Sequence, residues 1–309
     1  MRVLITGGSG FVGQRLCRRL VDNGHRVQVV SRAPAKAAKA LPEGVDVRSS
    51  ALDFVDKPPA ALVNLAGEPI ADKRWSDSQK ERLIDSRVNA TKELVMLCEQ
   101  LSQTASAPQV LVSGSAMGYY GDQGGGNQGG GDDAAPVTEQ TTPHDEFVHR
   151  LCQRWEDTAS GVEAYGVRLA ILRTGLVLDQ GGGMLKKLLP PFKLGLGGRL
   201  GKGDQYMPWI HREDLVEMLL WLIEKPHLSG PFNGSAPQPV TNREFTRAIG
   251  RHLKRPTPFP VPALVLETLL GEMSRLLLTG ARMVPQRFEE EGFIFRYPTL
   301  DQALEDILA

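Results

Sequence analysis

The first chemistry the sequence offers lies in Gly7-Gly8-Ser9-Gly10-Phe11-Val12-Gly13, directly after the apolar run Arg2-Val-Leu-Ile-Thr6. A helical pattern follows, with Val12, Leu16, Leu20 and Val21 on one face and Arg15, Arg18 and Arg19 on the other, closed by Asn23-Gly24. Arg26-Val-Gln-Val-Val-Ser31 then reads as a second strand. Strand, glycine turn, helix and strand within about 30 residues is the setting in which GxGxxG holds a dinucleotide. Gly7 permits the tight turn, Gly10 lets backbone approach a pyrophosphate, and Gly13 lets the helix pack on the strand. Free N–H groups and a partial positive charge at the helix N-terminus face the phosphates. Ser9, Phe11 and Val12 complete the expected cofactor-binding turn.

Which dinucleotide depends on the end of the second strand, where an Asp or Glu would hold a ribose 2′-OH. The sequence there is Ser31-Arg32-Ala33-Pro34, with no carboxylate before Glu43. Arg32 can pair with a 2′-phosphate and stack on adenine. NADP(H) is therefore expected over NAD(H); the competing reading of Arg32 is an ordinary surface arginine.

Other reactive side chains carry less. Cys17, Cys98 and Cys152 are odd in number, far apart and outside any CxxC or Cys/His cluster, so neither a disulfide framework nor a metal site is expected. Cys17 and Cys98 fall on apolar helical phases, and Cys152 on the apolar face of a helix reads as inert rather than nucleophilic. His211 in Trp209-Ile-His211 could titrate near neutrality, but it precedes Asp214 and an apolar helix, which favours capping or packing.

The elements that must position these residues alternate. Val45–Ser49 and Ala60–Ala66 read as strands, the second apolar enough to be buried on both faces. A long helix is expected from Ser76 to Gln103, a strand at Gln109–Ser113, a helix around Glu146–Thr158, and a strand led in by Gly166–Arg173. Alternation of this kind gives an α/β fold: a Rossmann-like, doubly wound, mostly parallel sheet. The expected division is a dinucleotide-binding domain over 1–180 and a smaller C-terminal substrate domain over 181–309. Gly121–Asp133 (GDQGGGNQGGGDD) reads as a flexible surface loop. Gly181–Asp204 holds eight glycines and five basic residues (Lys186, Lys187, Lys193, Arg199, Lys202) against one acid. It is expected to border a substrate pocket, either as an anion-binding wall or as a solvated basic loop.

Composition excludes several classes. The 309 residues carry 36 Lys+Arg against 36 Asp+Glu, so no global field favours nucleic acid or an anionic membrane. With 41% hydrophobic residues the chain is not disordered as a whole, and no uncharged apolar run approaches ~18 residues. The apolar stretch at the N-terminus is short and runs into glycines instead of forming a signal peptide, so a reducing, cytoplasmic setting is expected.

The motifs quoted resemble the extended short-chain dehydrogenase/reductase superfamily, with Thr6–Gly13 as its opening TGGxGxxG, Asn64-Leu-Ala-Gly67 as its cofactor-stabilising motif, and Ser113–Gly121 as its serine-bearing strand. A narrower resemblance spans essentially the whole chain, to epimerase-family proteins with a C-terminal domain of unknown function. Its marks are NLAGEPI (64–70), Arg74-Trp75, Ser86-Arg87, GYYG (118–121), RTGLVL (173–178), PFKLGLGGRLGKGDQYMPWIHREDL (191–215) and GFIFRYP (292–298). The resemblance implies that Ser31 and Arg32 meet the adenosine phosphate. It places Leu65, Ala66 and Gly67 on the nicotinamide-ribose side, Glu81, Arg87 and Ser113 near the cofactor, and Val177 in the nicotinamide pocket. Glu81 reads equally well as a solvated helix charge.

Catalysis in that superfamily centres on YxxxK, in which the lysine ammonium one helical turn away lowers the tyrosine pKa. The chain has no such pair: Gln123, Gly124, Leu169, Ile210 and Asp301 stand four residues after its tyrosines, and no lysine falls between Lys92 and Lys186. Aligning Glu156 with the family's glutamate puts Val148 and Cys152 at the two catalytic positions. The substitutes are Ser115, which fits the serine that hydrogen-bonds substrate, and Tyr119 or Tyr120 as an acid; the alternative for the tyrosines is packing. Two functions follow: an NADP-dependent oxidoreductase or epimerase acting on a small, sugar-like or anionic substrate, and a non-catalytic NADP(H)-binding sensor. The substrate and oligomeric state are not specified by the sequence.

Overall fold

Val3, Leu4 and Ile5 are all fully buried, as a strand covered on both faces requires. The computed structural model describes residues 1–104, 106–123 and 134–309. Its first half alternates β1 (Arg2–Thr6), α1 (Phe11–Asp22), β2 (Arg26–Val30), α2 (Pro34–Ala38), β3 (Asp46–Arg48), β4 (Ala61–Asn64), α3 (Asp77–Ser102), β5 (Val110–Ala116), α4 (Phe147–Ser160) and β6 (Arg168–Thr174). The second half continues with β7 (Leu176–Leu178), α5 (Gly183–Lys193), β8 (Tyr206–Met207), β9 (Trp209–His211), α6 (Arg212–Glu224), β10 (Gly230–Gly234), β11 (Val240–Thr241) and α7 (Asn242–Leu253). Four short helices close it: α8 (Ala263–Leu270), α9 (Arg275–Leu278), α10 (Gln286–Glu290) and α11 (Leu300–Leu308).

Among the described residues a seven-stranded sheet runs in the order β10-β6-β5-β4-β1-β2-β3, with every neighbour parallel. Alternation along each strand sorts the core onto two faces. Val3, Ile5, Val63 and Val112 pack with Leu16 and Leu20 of α1 and with α6. Leu4, Leu62 and Leu111 pack with Leu94, Leu97 and Leu101 of α3. This is the expected doubly wound sheet, and the order reverses between β1 and β4. That switch point opens a crevice at the strand C-termini.

The seventh strand, β10, pairs with β6 (Phe232 opposite Leu172), and α6 packs beside α1, so the sheet half draws on residues beyond the 1–180 span. Gly181–Asp204 is not a continuous loop either, because α5 occupies its first half with Leu185, Leu189 and Phe192 buried. The remaining segments build two small sheets, β7–β9 parallel and β8–β11 antiparallel, and pack α7 against α11. Capping boxes at Thr241/Glu244 and Thr299/Gln302 start those two helices. Most of the glycine-rich loop expected at Gly121–Asp133 lies outside the described residues. No described helix is long and apolar enough to cross a membrane.

Candidate functional site

At the crevice the glycine turn takes the form its spacing demands. Gly7 has φ +72°, and a Cβ there would stand 2.6 Å from the Leu65 backbone, so β4's exit crosses directly above it. A Cβ on Gly13 would come within 2.3 Å of the Gly7 carbonyl oxygen, which welds the first turn of α1 to the loop. The Gly10 N–H donates to the Gly7 carbonyl at 2.9 Å, and Gln14 Nε2 donates to the Ser9 carbonyl at 2.7 Å. Gly10 is the N-cap and supplies no capping side chain, and the first turn holds no acid. The N–H groups around Phe11, Val12 and Gly13 therefore face the crevice with a positive helix end and no competing carboxylate.

The second wall is the end of β2. The Ser31 hydroxyl accepts from the Ala33 N–H at 3.2 Å, and Arg32 is exposed with no carboxylate partner among the described residues. Its neighbour Arg48 is fully engaged instead, with Asp46 and Asp56. Arg32 is thus left able to meet an anion at this edge. On the far side, the backbone of Gly182 and Gly183 lies against the Phe11 ring and Val177, and Arg212 stacks on the same ring at 4.8 Å while pairing with Asp179. The start of the glycine- and lysine-rich segment therefore lies beside the glycine turn.

Below β4, Leu65, Ala66 and Gly67 come together with Arg87, reaching in from α3. A Cβ on Gly67 would be 2.9 Å from the Arg87 guanidinium carbon, and the guanidinium stacks on Trp155 at 5.3 Å. Arg87 Nη1 donates to the Leu83 carbonyl at 2.9 Å, but its buried Nε has no hydrogen-bond partner, and burial pulls the guanidinium pKa down. A desolvated cation with an orphaned donor fits an oxygen-rich ligand. Glu81 does not join this group: six residues along α3 turn it about 120° away, and it is exposed.

Ser115 near the end of β5 gives its proton to Glu156 Oε1 at 2.6 Å. The same carboxylate receives Arg173 Nε at 3.0 Å and Nη2 at 2.8 Å, a bidentate pair buried between β6 and α4. Burial works against the Arg173 charge, but the bonds and charge of Glu156 outweigh it and hold the guanidinium above its ordinary range. Ser113, two residues back, is wholly buried, and its hydroxyl donates to its neighbour's carbonyl.

The two tyrosines diverge. Tyr120 is 0% exposed; its hydroxyl donates to Asn233 Oδ1 at 2.6 Å and accepts from Arg173 at 3.1 Å, and burial pushes its phenol up to about 12. The expectation that Tyr120 is an acid is corrected: it is a packing residue held in a buried network. Tyr119 is half-buried, with the Arg173 guanidinium 3.4 Å above its ring and His149 edge-on to it. Its hydroxyl has no partner among the described residues.

Where YxxxK would stand, Val148 packs against Gly118, and the Cys152 thiol points at the Ala116 carbonyl, 3.9 Å away. Burial pushes that thiol up to about 11 despite nearby Arg87, which makes it inert. His211 caps α6 by accepting the Glu213 N–H at 3.1 Å, and its ring lies 3.9 Å from that of Tyr297. Sequence reading did not find the Glu156–Arg173 pair. Its only trace was a carboxylate beside Trp155 and an arginine ending an apolar strand, each at a core-facing phase.

Comparison with known proteins agrees with this geometry. The chain matches the NAD dependent epimerase/dehydratase family over residues 3–233 and a domain of unknown function, DUF1731, over residues 261–307. The epimerase family protein Mb2239 of Mycobacterium bovis is 39% identical over 306 residues, covering 98% of this chain and 96% of that protein. The crystal structure of the human epimerase family protein SDR39U1 (isoform 2) with NADPH superposes at a TM-score of 0.84 with 31% identity, covering 100% of this chain and 99% of that one. A nucleoside-diphosphate sugar epimerase from Corynebacterium glutamicum is 29% identical at a TM-score of 0.76, covering 100% of this chain and 58% of that one.

Proposed function

We propose, for a chain that belongs to the NAD dependent epimerase/dehydratase family, that it is an NADP(H)-dependent oxidoreductase or epimerase acting on a small hydroxylated, anionic substrate. The observation that carries the reading is one crevice holding three things. They are an uncapped helix N-terminus, a free arginine where an NAD-specific site would place a carboxylate, and a serine hydroxyl anchored to a buried ion pair. The human relative whose structure contains NADPH supports the choice of cofactor.

The turn Gly7–Gly13 would hold the pyrophosphate, Ser31 and Arg32 the 2′-phosphate, and Leu65, Ala66, Gly67, Arg87 and Val177 the nicotinamide end. Bound there, NADP(H) supplies a hydride donor or acceptor. The chain's own residues do the rest. Ser115 spends its proton on Glu156, so its oxygen accepts a hydrogen bond from a substrate hydroxyl and orients it. Tyr119, its ring against the Arg173 cation, is the acid or base within this group. Arg87 supplies from α3 the positive charge that the missing lysine would have supplied from α4.

The test is turnover by the purified protein with NADPH or NADP against a panel of sugar-derived and acidic carbonyl and hydroxyl compounds, followed by absorbance at the nicotinamide band. Turnover that falls by roughly two orders of magnitude in Ser115→Ala and in Tyr119→Phe, the usual worth of a positioned acid or base, supports the reading. Tight NADPH binding with no turnover across the panel would instead point to a sensing role.

A further inference from the structure

Away from the crevice, the C-terminal half contains a cavity of about 270 Å³ built on the first turns of α7. Arg199, Arg243 and Arg247 line it together with Thr246, Thr257 and two prolines, and no carboxylate does. None of these residues belongs to the cofactor site. Arg243 and Arg247 stand one helical turn apart, on one face, and Arg199 approaches from the loop opposite.

The walls are fixed by the backbone. The Leu200 N–H donates to Asn242 Oδ1 at 2.8 Å and the Val261 N–H to the Arg199 carbonyl at 2.8 Å, which pins the Arg199 loop to α7 and to the strand-like segment beyond Pro260. The Arg255 N–H donates to the Gly250 carbonyl at 2.9 Å, and Gly250 has no room for a Cβ because the Thr257 side chain fills it.

The charges inside are largely uncompensated. Arg243 pairs with Asp204 at 2.7 Å yet keeps a buried Nε without a partner. Arg199 and Arg247 meet no carboxylate among the described residues. Thr246, only 4% exposed, lines the same cavity. Three guanidiniums with one paired carboxylate beside them are a donor set in excess of its acceptors.

We infer that this cavity is an anion site for a diphosphate group. Guanidiniums pair with phosphate oxygens through two parallel N–H bonds, and three of them lining one cavity supply donors enough for both phosphoryl groups of a diphosphate. At about 30 Å³ per water, the volume also exceeds the needs of a single phosphate.

The experiment is calorimetric titration of the NADPH-saturated protein, whose glycine turn is then filled, with inorganic pyrophosphate and with inorganic phosphate at matched ionic strength. Pyrophosphate binds more tightly than phosphate. In Arg199→Gln/Arg247→Gln, both exposed residues outside the core, its affinity falls by about tenfold or more, while NADPH affinity is unchanged. Thr246→Val, equal in volume, weakens pyrophosphate with no change in melting temperature. Equal binding of phosphate and pyrophosphate, no binding of either, or binding that is the same in the double variant would each overturn the assignment.

Discussion

The Ser115 hydroxyl donates to Glu156 Oε1 at 2.6 Å, and that contact ties the rim of the crevice to the buried Arg173. A carboxylate held by a bidentate arginine cannot be neutralised without leaving the guanidinium alone in the core. Glu156→Gln is expected to lower stability by about 3–5 kcal/mol, the usual result of breaking a buried pair from one side. Urea unfolding measures this; a loss under about 1 kcal/mol, the size of an exposed pair, would show that water reaches the site.

Cofactor choice rests on Arg32. Arg32→Ser is expected to weaken NADPH by roughly 10- to 100-fold, the loss of one or two charge-assisted bonds to a phosphate, with little change in NADH affinity. Fluorescence titration with both nucleotides distinguishes this outcome from an equal loss of both, which would assign Arg32 to the turn's general shape.

Gly13→Ala puts a methyl group 2.3 Å from the Gly7 carbonyl oxygen. The turn must open, at a cost of about 1–3 kcal/mol for overpacking, and NADPH affinity falls with it. Retention of full affinity alongside a lower melting temperature would mean that the phosphates do not use this loop.

The Arg87 charge is desolvated, with Glu68 only a weaker, distant support and its Nε unpartnered. Arg87→Met removes that burden, so the melting temperature without cofactor should hold or rise while NADPH affinity drops. A several-degree fall with unchanged affinity would make the residue purely structural.

Burial holds the His211 imidazole below its usual 6.5, the value at which the unfolded chain titrates. In the interval the unfolded state binds more protons, so stability is full above pH 6.5 and is lost as pH falls from there toward the lower folded value. His211→Asn keeps a helix cap and should flatten the decline in urea midpoint between pH 7 and the acid side. Parallel slopes in the two proteins would place the titration elsewhere.

What could be read from the residues was local. Ser76 and Gln103 bound α3 as its capping pattern requires, and Leu16, Cys17 and Leu20 face the core as their spacing demands. β10, Gly-Pro-Phe-Asn-Gly, shows no alternation, because its side chains are set by a neighbour some sixty residues earlier and not by its own period. α5 was hidden by flanking glycines and by Pro190-Pro191 within it. In the site, the glycine turn and Arg32 announce themselves because spacing carries their chemistry. The Ser115–Glu156–Arg173 linkage joins three elements, and no short-range pattern records which charges will meet in the dark interior.

Cys17 and Cys98 lie in the core with thiols pushed up to about 12, and Cys152 follows at about 11. With no accessible thiolate, the native chain is a silent background for alkylating reagents and spin labels. A single cysteine placed on α8 or on the Arg32 turn would react alone, and a pair of them would report distances across the molecule without first stripping out the natural sulfur.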